Sequence, residues 1–476
     1  MQDCRCKVCS ALPLRDQQEY INPIFPPPFR IGNPTISRKG DRRQELSVVT
    51  NCDWKPAMYA LIGMALGDSL GIPFEMCKPQ EATSMWRENG AYPEDMITLG
   101  AIWTDDTQQS LSVMEAFMQP NRYTGIVPEL KGKLNTKEVL EIWKHLSAKD
   151  PATGSKVEYG GFRGTGTNFR ATMEAPSDDV RSTYTAGNGV VMKVVPFAIA
   201  AHDTEFRGSR DLEFMALSRN LIEVAKITTH NLLAVTPAFS VAYLIYRLTG
   251  QGREEFVSRK TEDILTSIGF YTNRFEELIE KDEFFMRNKW DKYIVHAYTN
   301  ILKKVLDKIK EDPYKDPDLV INDMSKLIPE WANEVTEKQV LSINDGMGVT
   351  TALSAILFAL LYRNKPFLSV LQAMYYYGGD TDSVGAVLGG VLGAIQGVIP
   401  PEITTTLIEY ETLASIFKRF IDHVRSVPQQ GSIQITWPRA IPEGYKSFVD
   451  MEEKINSTIR LAEKRNITMR DYKKRR

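Results

Sequence analysis

The chain has 476 residues, of which 43% are hydrophobic and 25% are charged, and its formal net charge is −2. This length and composition are typical of a globular protein with a large core, either one large domain or two to three smaller ones. The balanced charge excludes the strongly basic or acidic classes that bind nucleic acid or membrane surfaces through their overall charge.

Residues 1–53 are predicted to form an irregular extension. The stretch "INPIFPPPFRIGNP" has five prolines in fourteen residues, which excludes a helix. Cys4, Cys6 and Cys9 lie close together, but a zinc site would need a fourth ligand nearby. Five cysteines in the whole chain fit a reducing compartment, and the first residues carry charge without an apolar leader. We therefore expect a cytoplasmic location, with delivery into another cell as the alternative.

Helical patterns dominate from Trp54 onward. Apolar residues recur at three-and-four spacing in "PAMYALIGMALGDSLGIPFE", "TDDTQQSLSVMEAFM" and "TKEVLEIWKHLSA", and "LIEVAKITTHNLLAVTPAFSVAYLIYRLTG" is long and apolar. The apolar runs Val349–Tyr362 and Ser383–Ile399 fall short of the ~20 residues that span a bilayer. We expect both runs to be buried core helices, with no transmembrane segment.

The pattern predicts three regions. Residues 54–430 form the main domain, with a charged helical segment at 254–340, and residues 431–476 form a C-terminal extension that ends in a polar helix. The one strand-like stretch is "GSIQITWP", near the end of the chain. The sequence therefore predicts an all-α, compact protein whose unusual residues lie on loops between helices.

Two acidic stretches carry the first functional signal. "TDDT" covers Thr104–Thr107, and "GGDTDS" covers Gly378–Ser383. Each alone is explained by a capped helix start, where a threonine caps and the helix dipole favours acids. Together they allow two helix starts to converge, and carboxylates at close range repel one another unless a cation lies between them. An all-oxygen ligand set favours Mg²⁺ or Mn²⁺ over Zn²⁺.

Four further stretches stand on helix-flanking segments: "GDSLGIPFE", "RGTGTN", "AGNGVVMKVVP" and "TTH". Each has an ordinary structural explanation as a turn, a surface loop or, for His230, a buried histidine on an apolar helix. Their joint occurrence in this order makes independent coincidence a poor explanation.

The ordered set "GDxxGxxxE", "TDDT", "GNGxxM(R/K)xxP", "TH" and "GGDTD(T/S)" resembles that of the ADP-ribosylglycohydrolases, over about Trp54 to Pro400. The resemblance implies an all-α multi-helix orthogonal bundle with two Mg²⁺ or Mn²⁺ ions at the base of a cleft. It implies metal ligands at Thr104, Asp105, Asp106, Asp380, Asp382 and Ser383. It places Glu75 over the scissile bond on a mobile loop, so that Glu75, Asp105 and Asp382 are the expected catalytic residues. The residues expected to touch ADP-ribose are Gly164, Gly187, Asn188, Gly189, Met192 and His230.

Three positions depart from the pattern of that family. Ser383 replaces the commoner threonine and keeps a hydroxyl ligand. Lys193 stands where arginine is usual, which weakens any bidentate contact made there. Ala186 replaces a frequent tyrosine or serine of the distal pocket.

The resemblance implies a hydrolase that removes mono-ADP-ribose from a protein side chain, and the motifs favour arginine. Serine-linked ADP-ribose and O-acetyl-ADP-ribose are alternative substrates. A second alternative is a non-catalytic module that binds or blocks ADP-ribose, and a third is a metal-dependent phosphoesterase. The expected partner is an ADP-ribosylated protein, with ADP-ribose as product, no nucleic acid, and a monomeric chain.

Overall fold

The computed structural model describes residues 53–78, 103–126, 128, 132–147, 162, 164–174, 185–203, 210–286, 289–313, 315–336 and 339–426. The predicted N-terminal extension with its cysteines, the strand-like stretch and the polar C-terminal helix lie outside these residues, except for Asp53. The predicted domain boundaries therefore stay predictions.

The described residues are helical, and the sequence prediction of an all-α fold is confirmed. Within them the β-pairing is an isolated bridge between Gly187 and Met347. Two short 3-10 helices occur at Ile72–Phe74 and Asn188–Lys193. The α-helices are α1 (Trp54–Gly71), α2 (Asp105–Met118), α3 (Thr136–Ser147), α4 (Thr167–Glu174), α5 (Val194–Ala200), α6 (Arg210–Thr228), α7 (Leu232–Thr249), α8 (Arg253–Ser258), α9 (Thr261–Ile279), α10 (Lys289–Ile294), α11 (Ala297–Glu311), α12 (Pro317–Asn333), α13 (Gly348–Leu361), α14 (Phe367–Tyr375), α15 (Thr381–Gln396), α16 (Pro401–Thr404) and α17 (Tyr410–Val424).

Among the described helices, α1 and α15 share the most extensive contact, and glycine makes their close approach possible. A Cβ placed on Gly67 would lie 1.8 Å from the carbonyl oxygen of Gly385, and one on Gly63 would lie 2.2 Å from that of Gly389. No side chain fits into such a gap, so the two backbones touch directly. Both predicted core helices, α13 and α15, are buried as expected.

Other helices pack against this pair directly or through a neighbouring helix. Helix α13 packs on α15, and α7 packs against α5, α9, α13 and α15. The charged segment contributes α9, α11 and α12, which bury one face each and leave the other exposed. The result places α1, α2 and α15 so that their acid-bearing ends meet.

One predicted helix is divided. The stretch that reads as a long apolar helix breaks between α6 and α7, because the Asn231 side chain accepts from the backbone N–H of Leu233 and caps a new helix. His230 therefore lies in the break, and the expectation that it sits on an apolar helix is wrong.

Two helical segments are long and apolar enough to cross a membrane, Trp54–Phe74 and Leu232–Thr249. In the 18-residue apolar stretches of these two segments, 89% and 94% of the residues, respectively, are buried inside the molecule. Core helices have the same composition and the same burial.

Candidate metal and ADP-ribose site

The end of α1 supplies a buried acid that anchors the start of α2. The Asp68 carboxylate accepts from the backbone N–H of Thr104 at 2.9 Å and from that of Thr107 at 3.1 Å. It also accepts from the hydroxyl of Thr104 at 2.7 Å and from that of Thr107 at 2.5 Å. Asp68 therefore satisfies N–H groups of the first turn that helices leave unpaired.

Asp105 and Asp106 occupy the first turn of α2, as the sequence predicts, with Thr104 at the N-cap. The Thr104 hydroxyl does not cap its own helix, since it points to Asp68 instead. Both acids are buried, with exposed fractions of 4% and 1%. An ordinary capped helix start would present its acids to water, so this arrangement calls for another explanation.

The start of α15 supplies the second predicted acidic segment. Asp380 is the N-cap residue, and Asp382 lies in the first turn. Gly378 and Gly379 precede them with φ of 60° and 84°, a region that favours glycine. The Asp380 backbone N–H donates to the carbonyl of Asn344 at 2.8 Å, which ties the segment to the chain before α13.

A loop from the centre of the chain holds the Asp380 side chain. The Asn188 side-chain amide donates to Asp380 Oδ2 at 2.9 Å and to the Thr351 hydroxyl at 3.1 Å. On the other side, a Cβ on Gly346 would lie 2.6 Å from Asp380 Oδ2, so a larger residue would displace that carboxylate. The "GNG" stretch and the α15 start therefore meet, although 192 positions separate Asn188 from Asp380.

Three of the acids form a tight cluster. Asp68, Asp106 and Asp382 each offer a carboxylate oxygen, and these oxygens all lie within 4.8 Å of one another. Burial raises the pKa of Asp68 to about 6, although its four donors act in the opposite direction. Burial, and then the charges of neighbouring acids, raise the pKa values of Asp106 and Asp382 well above the usual range.

The cluster has the chemistry of a cation site. Asp106 Oδ1 is buried and has no hydrogen-bond partner, and buried carboxylates without a compensating charge are costly. Among the described residues, the buried cation beside these acids is Lys193, and the buried carboxylates there outnumber it: Asp68, Asp105, Asp106 and Asp382. An all-oxygen ligand set of carboxylates and nearby hydroxyls fits a hard divalent cation. The residues at the site thus fit the metal that the sequence suggests.

A cavity of about 830 Å³ opens onto the acids. Its volume falls in the usual range for small-molecule sites, about 300–1,000 Å³. Most of the predicted residues line it: Glu75, Asp105, Asp106, Gly164, Gly187, Asn188, Gly189, Met192, Asp380, Asp382 and Ser383. Thr104 lies behind the acids on Asp68. His230 is half-buried against Phe284 and is not among the lining residues, which instead include the neighbouring Thr228 and Asn231.

Glu75 stands at the mouth of this cavity. It follows the 3-10 turn Ile72–Phe74 and is exposed. Its charge contributes to raising the pKa values of both Asp105 and Asp382, so it faces the two acidic segments together. The next residue, Met76, has φ of 57° and donates its N–H to the carbonyl of Gly379 at 2.8 Å. That bond holds the Glu75 loop to the start of α15.

Sequence reasoning missed two components of the site. Asp68 was quoted within "GDSLGIPFE" but was not assigned to the metal site, although it is one of the three clustered acids. The sequence predicts for Lys193 only a weakened bidentate contact in place of arginine, whereas the side chain is 1% exposed and lies beside the acids. Its pKa is lowered to about 8 by burial, against the opposing charges of Asp105 and Asp106. The signal available for Asp68 is its position beside a glycine on a largely apolar helix, where a buried acid is rare.

A family model described as ADP-ribosylglycohydrolase matches residues 56–430. No curated protein matches the chain. Among solved structures, a chain described as "ADP-ribosylglycohydrolase-related protein complex" is 18% identical, with a TM-score of 0.44, and the match covers 77% of this chain and 98% of that one.

Proposed function

The chain belongs to the ADP-ribosylglycohydrolase family, and on that premise we propose that it is a metal-dependent hydrolase of mono-ADP-ribosylated protein side chains. The products are ADP-ribose and the unmodified protein. The observation that carries the metal dependence is the buried cluster of Asp68, Asp106 and Asp382 with its unpaired Asp106 oxygen; Asp106 and Asp382 line the cavity.

The residues that would hold the cations are the three clustered acids together with Asp105, Asp380 and the hydroxyl of Ser383. Two Mg²⁺ or Mn²⁺ ions are the proposed complement, since a single divalent charge leaves most of these carboxylates uncompensated. When bound, such ions lower the pKa of water and grip the vicinal hydroxyls of a ribose.

The chain's own groups orient the substrate and move protons. Asn188 is held by Thr351 and Asp380, which fixes the "GNG" loop against the site. Gly187 and Gly189 line the cavity, and their backbone N–H groups would bind the diphosphate. Glu75, at the mouth, handles the proton of the leaving group or of the attacking water. The reaction breaks the glycosidic bond at the anomeric carbon of the proximal ribose, with positive charge developing on that sugar.

Arginine is the proposed linkage. Two carboxylates of the cavity wall, those of Glu75 and Asp345, are not among the proposed cation ligands. They can pair with a cationic guanidinium, whereas a neutral serine hydroxyl offers no charge to pair with. The motifs "GDSLGIPFE" and "GNGVVMKVVP" support the same choice.

The test offers arginine-linked and serine-linked ADP-ribosyl peptides in parallel, with MnCl₂ or with EDTA, and separates the products by chromatography. We expect free ADP-ribose from the arginine-linked peptide with manganese, and none with EDTA or from the Asp382→Ala variant. An Asp263→Ala variant, changed at an exposed position of α9, is the matched control and should behave as the wild type.

Each other outcome points elsewhere. AMP with ribose phosphate would identify a phosphoesterase, and binding without product would identify a non-catalytic module. Full activity in EDTA would refute the metal dependence, and preference for the serine-linked peptide would refute the proposed linkage.

A further inference from the structure

A buried lysine lies near the acids and is connected to one of them through a glutamine side chain. The Lys193 ammonium donates to the side-chain oxygen Oε1 of Gln109 and lies 5.0 Å from the ring centre of Trp143. Gln109 in turn donates from Nε2 to Asp105 Oδ2 at 2.6 Å. Lys193 and Gln109 are each 1% exposed, so both contacts are shielded from water.

The chemistry of lysine fixes the direction of this chain of hydrogen bonds. An ammonium group has three donors and no acceptor, so the Gln109 oxygen has to face it. The Gln109 NH₂ group must then face Asp105. Without a cation at 193 the buried Gln109 oxygen loses its donor, and the amide is then held at one end only, by Asp105.

The remaining oxygen of Asp105 faces the cavity. Oδ2 is taken by Gln109, while Oδ1 lies toward Gly164, where a Cβ would sit 3.6 Å away from it. Gly164 has φ of 71° and lines the cavity. Asp105 is thus held with one oxygen inward to the protein and one outward to the ligand space.

We propose that Lys193 is a positioning residue that acts through Gln109 to set the orientation of Asp105 toward bound divalent cations. This inference rests on the proposed function. The competing explanation is that Lys193 only balances negative charge. The two explanations predict opposite changes in cation affinity. Loss of positioning weakens cation binding, whereas loss of a nearby positive charge alone strengthens it.

The experiment measures Mn²⁺ binding to the full chain by calorimetry without substrate, so that it does not depend on turnover. Lys193→Met and Gln109→Leu should each bind Mn²⁺ about 10- to 100-fold more weakly, the range seen when groups that orient metal ligands are removed. The double variant should be no weaker than either single one, because both changes break the same chain. Lys193→Arg should bind close to the wild type, since a guanidinium also only donates.

Lys304→Met is the matched control. Lys304 also lies over a tryptophan, 5.4 Å from the ring centre of Trp331, and pairs with Glu334 away from the acids. The affinity of the Lys304→Met variant for Mn²⁺ should equal that of the wild type. A Lys193→Met variant that fails to fold leaves Gln109→Leu, which carries no change of charge, to decide the matter.

The failures are distinguishable. If the wild type takes up no manganese, the proposed metal-dependent function is wrong. If the wild type binds and Lys193→Met or Gln109→Leu binds as well or better, the positioning role alone is wrong. Additive losses in the double variant would also overturn it, since they would show two independent effects.

Discussion

Replacement of Asp68 by asparagine and by alanine should have very different effects on stability, although both remove the same charge. The carboxylate is fully buried and accepts from the backbone N–H and the hydroxyl of both Thr104 and Thr107. These contacts fix the start of α2, where Asp105 and Asp106 begin. The identity of the acceptor atoms therefore matters as much as the charge.

The expected losses of stability depend on which donors each of the two Asp68 oxygens accepts from. An asparagine with its oxygen at the Oδ2 position keeps both backbone donors, at 2.9 and 3.1 Å. The Thr104 hydroxyl has to turn, and Asp106 Oδ2 lies 3.2 Å from it. The Thr104 N–H also loses its second contact, the one with Oδ1 at 3.0 Å, but keeps the one with Oδ2. Asp68→Asn therefore loses one full hydrogen bond to a charged group, about 1.5–3 kcal/mol, and one half of a shared bond, offset by reduced repulsion within the cluster. Asp68→Ala leaves two buried N–H groups unsatisfied at about 1–3 kcal/mol each, or about 2–6 kcal/mol in all.

Urea unfolding of the metal-free proteins, followed by circular dichroism, measures these differences. We expect the midpoint of Asp68→Asn to lie near that of the wild type and the midpoint of Asp68→Ala to lie clearly lower. Calorimetry should show at least about tenfold weaker Mn²⁺ binding for both variants, because each loses an acid of the cluster. Equal midpoints for the two variants would refute the claim that Asp68 pins α2 through its acceptor oxygens.

Three further predictions follow. Glu75→Gln should bind ADP-ribose as the wild type does but turn over about 100-fold more slowly or worse; weaker binding with an unchanged maximal rate would exclude the proton-transfer role. Gly67→Ala should lower the free energy of unfolding by about 3 kcal/mol or more, since its Cβ would lie 1.8 Å from the Gly385 carbonyl oxygen, whereas Gly166→Ala, with open space around it, should unfold in urea like the wild type. Burial raises the pKa of Glu276 to about 7, above its unfolded value, so the stability that its protonated form contributes at low pH is lost as pH rises through 7. Glu276→Gln should therefore show a smaller fall in urea midpoint than the wild type between about pH 5 and pH 8, and identical pH profiles would contradict this assignment.

The helix starts at the site could be predicted from the sequence because they depend on residues close together in the chain. Two acids after a threonine predicted the start of α2, and two glycines before an aspartate predicted the turn into α15. Both helix starts are confirmed. The run Ser383–Ile399 was expected to be a buried helix because of its apolar composition, and α15 is buried along almost its whole length.

Contacts between residues far apart in the chain could not be predicted in the same way. Nothing in the spacing of "GDSLG" says that Asp68 faces Thr104 and Thr107, because that contact depends on how α1 packs. Lys193 lies within one element and reaches Gln109 on another, 84 positions away. Periodicity describes which face of a helix is apolar, but it does not say which two helix ends meet. The break at His230 was missed because the flanking apolar runs concealed a cap at Asn231.

The glycine contact between α1 and α15 has a consequence for how the protein is made. The hydroxyl of Thr381 donates to the carbonyl of Gly71 at 2.8 Å across 310 positions of chain. During synthesis, α1 leaves the ribosome long before α15, the helix against which its glycine-lined face packs. Contacts of such wide separation form slowly, because a large loop has to close first. The acidic centre therefore forms only after Asp380 and Asp382 have been synthesised, and a chain that stops before residue 381 keeps Asp68 with its threonine donors but lacks those two acids.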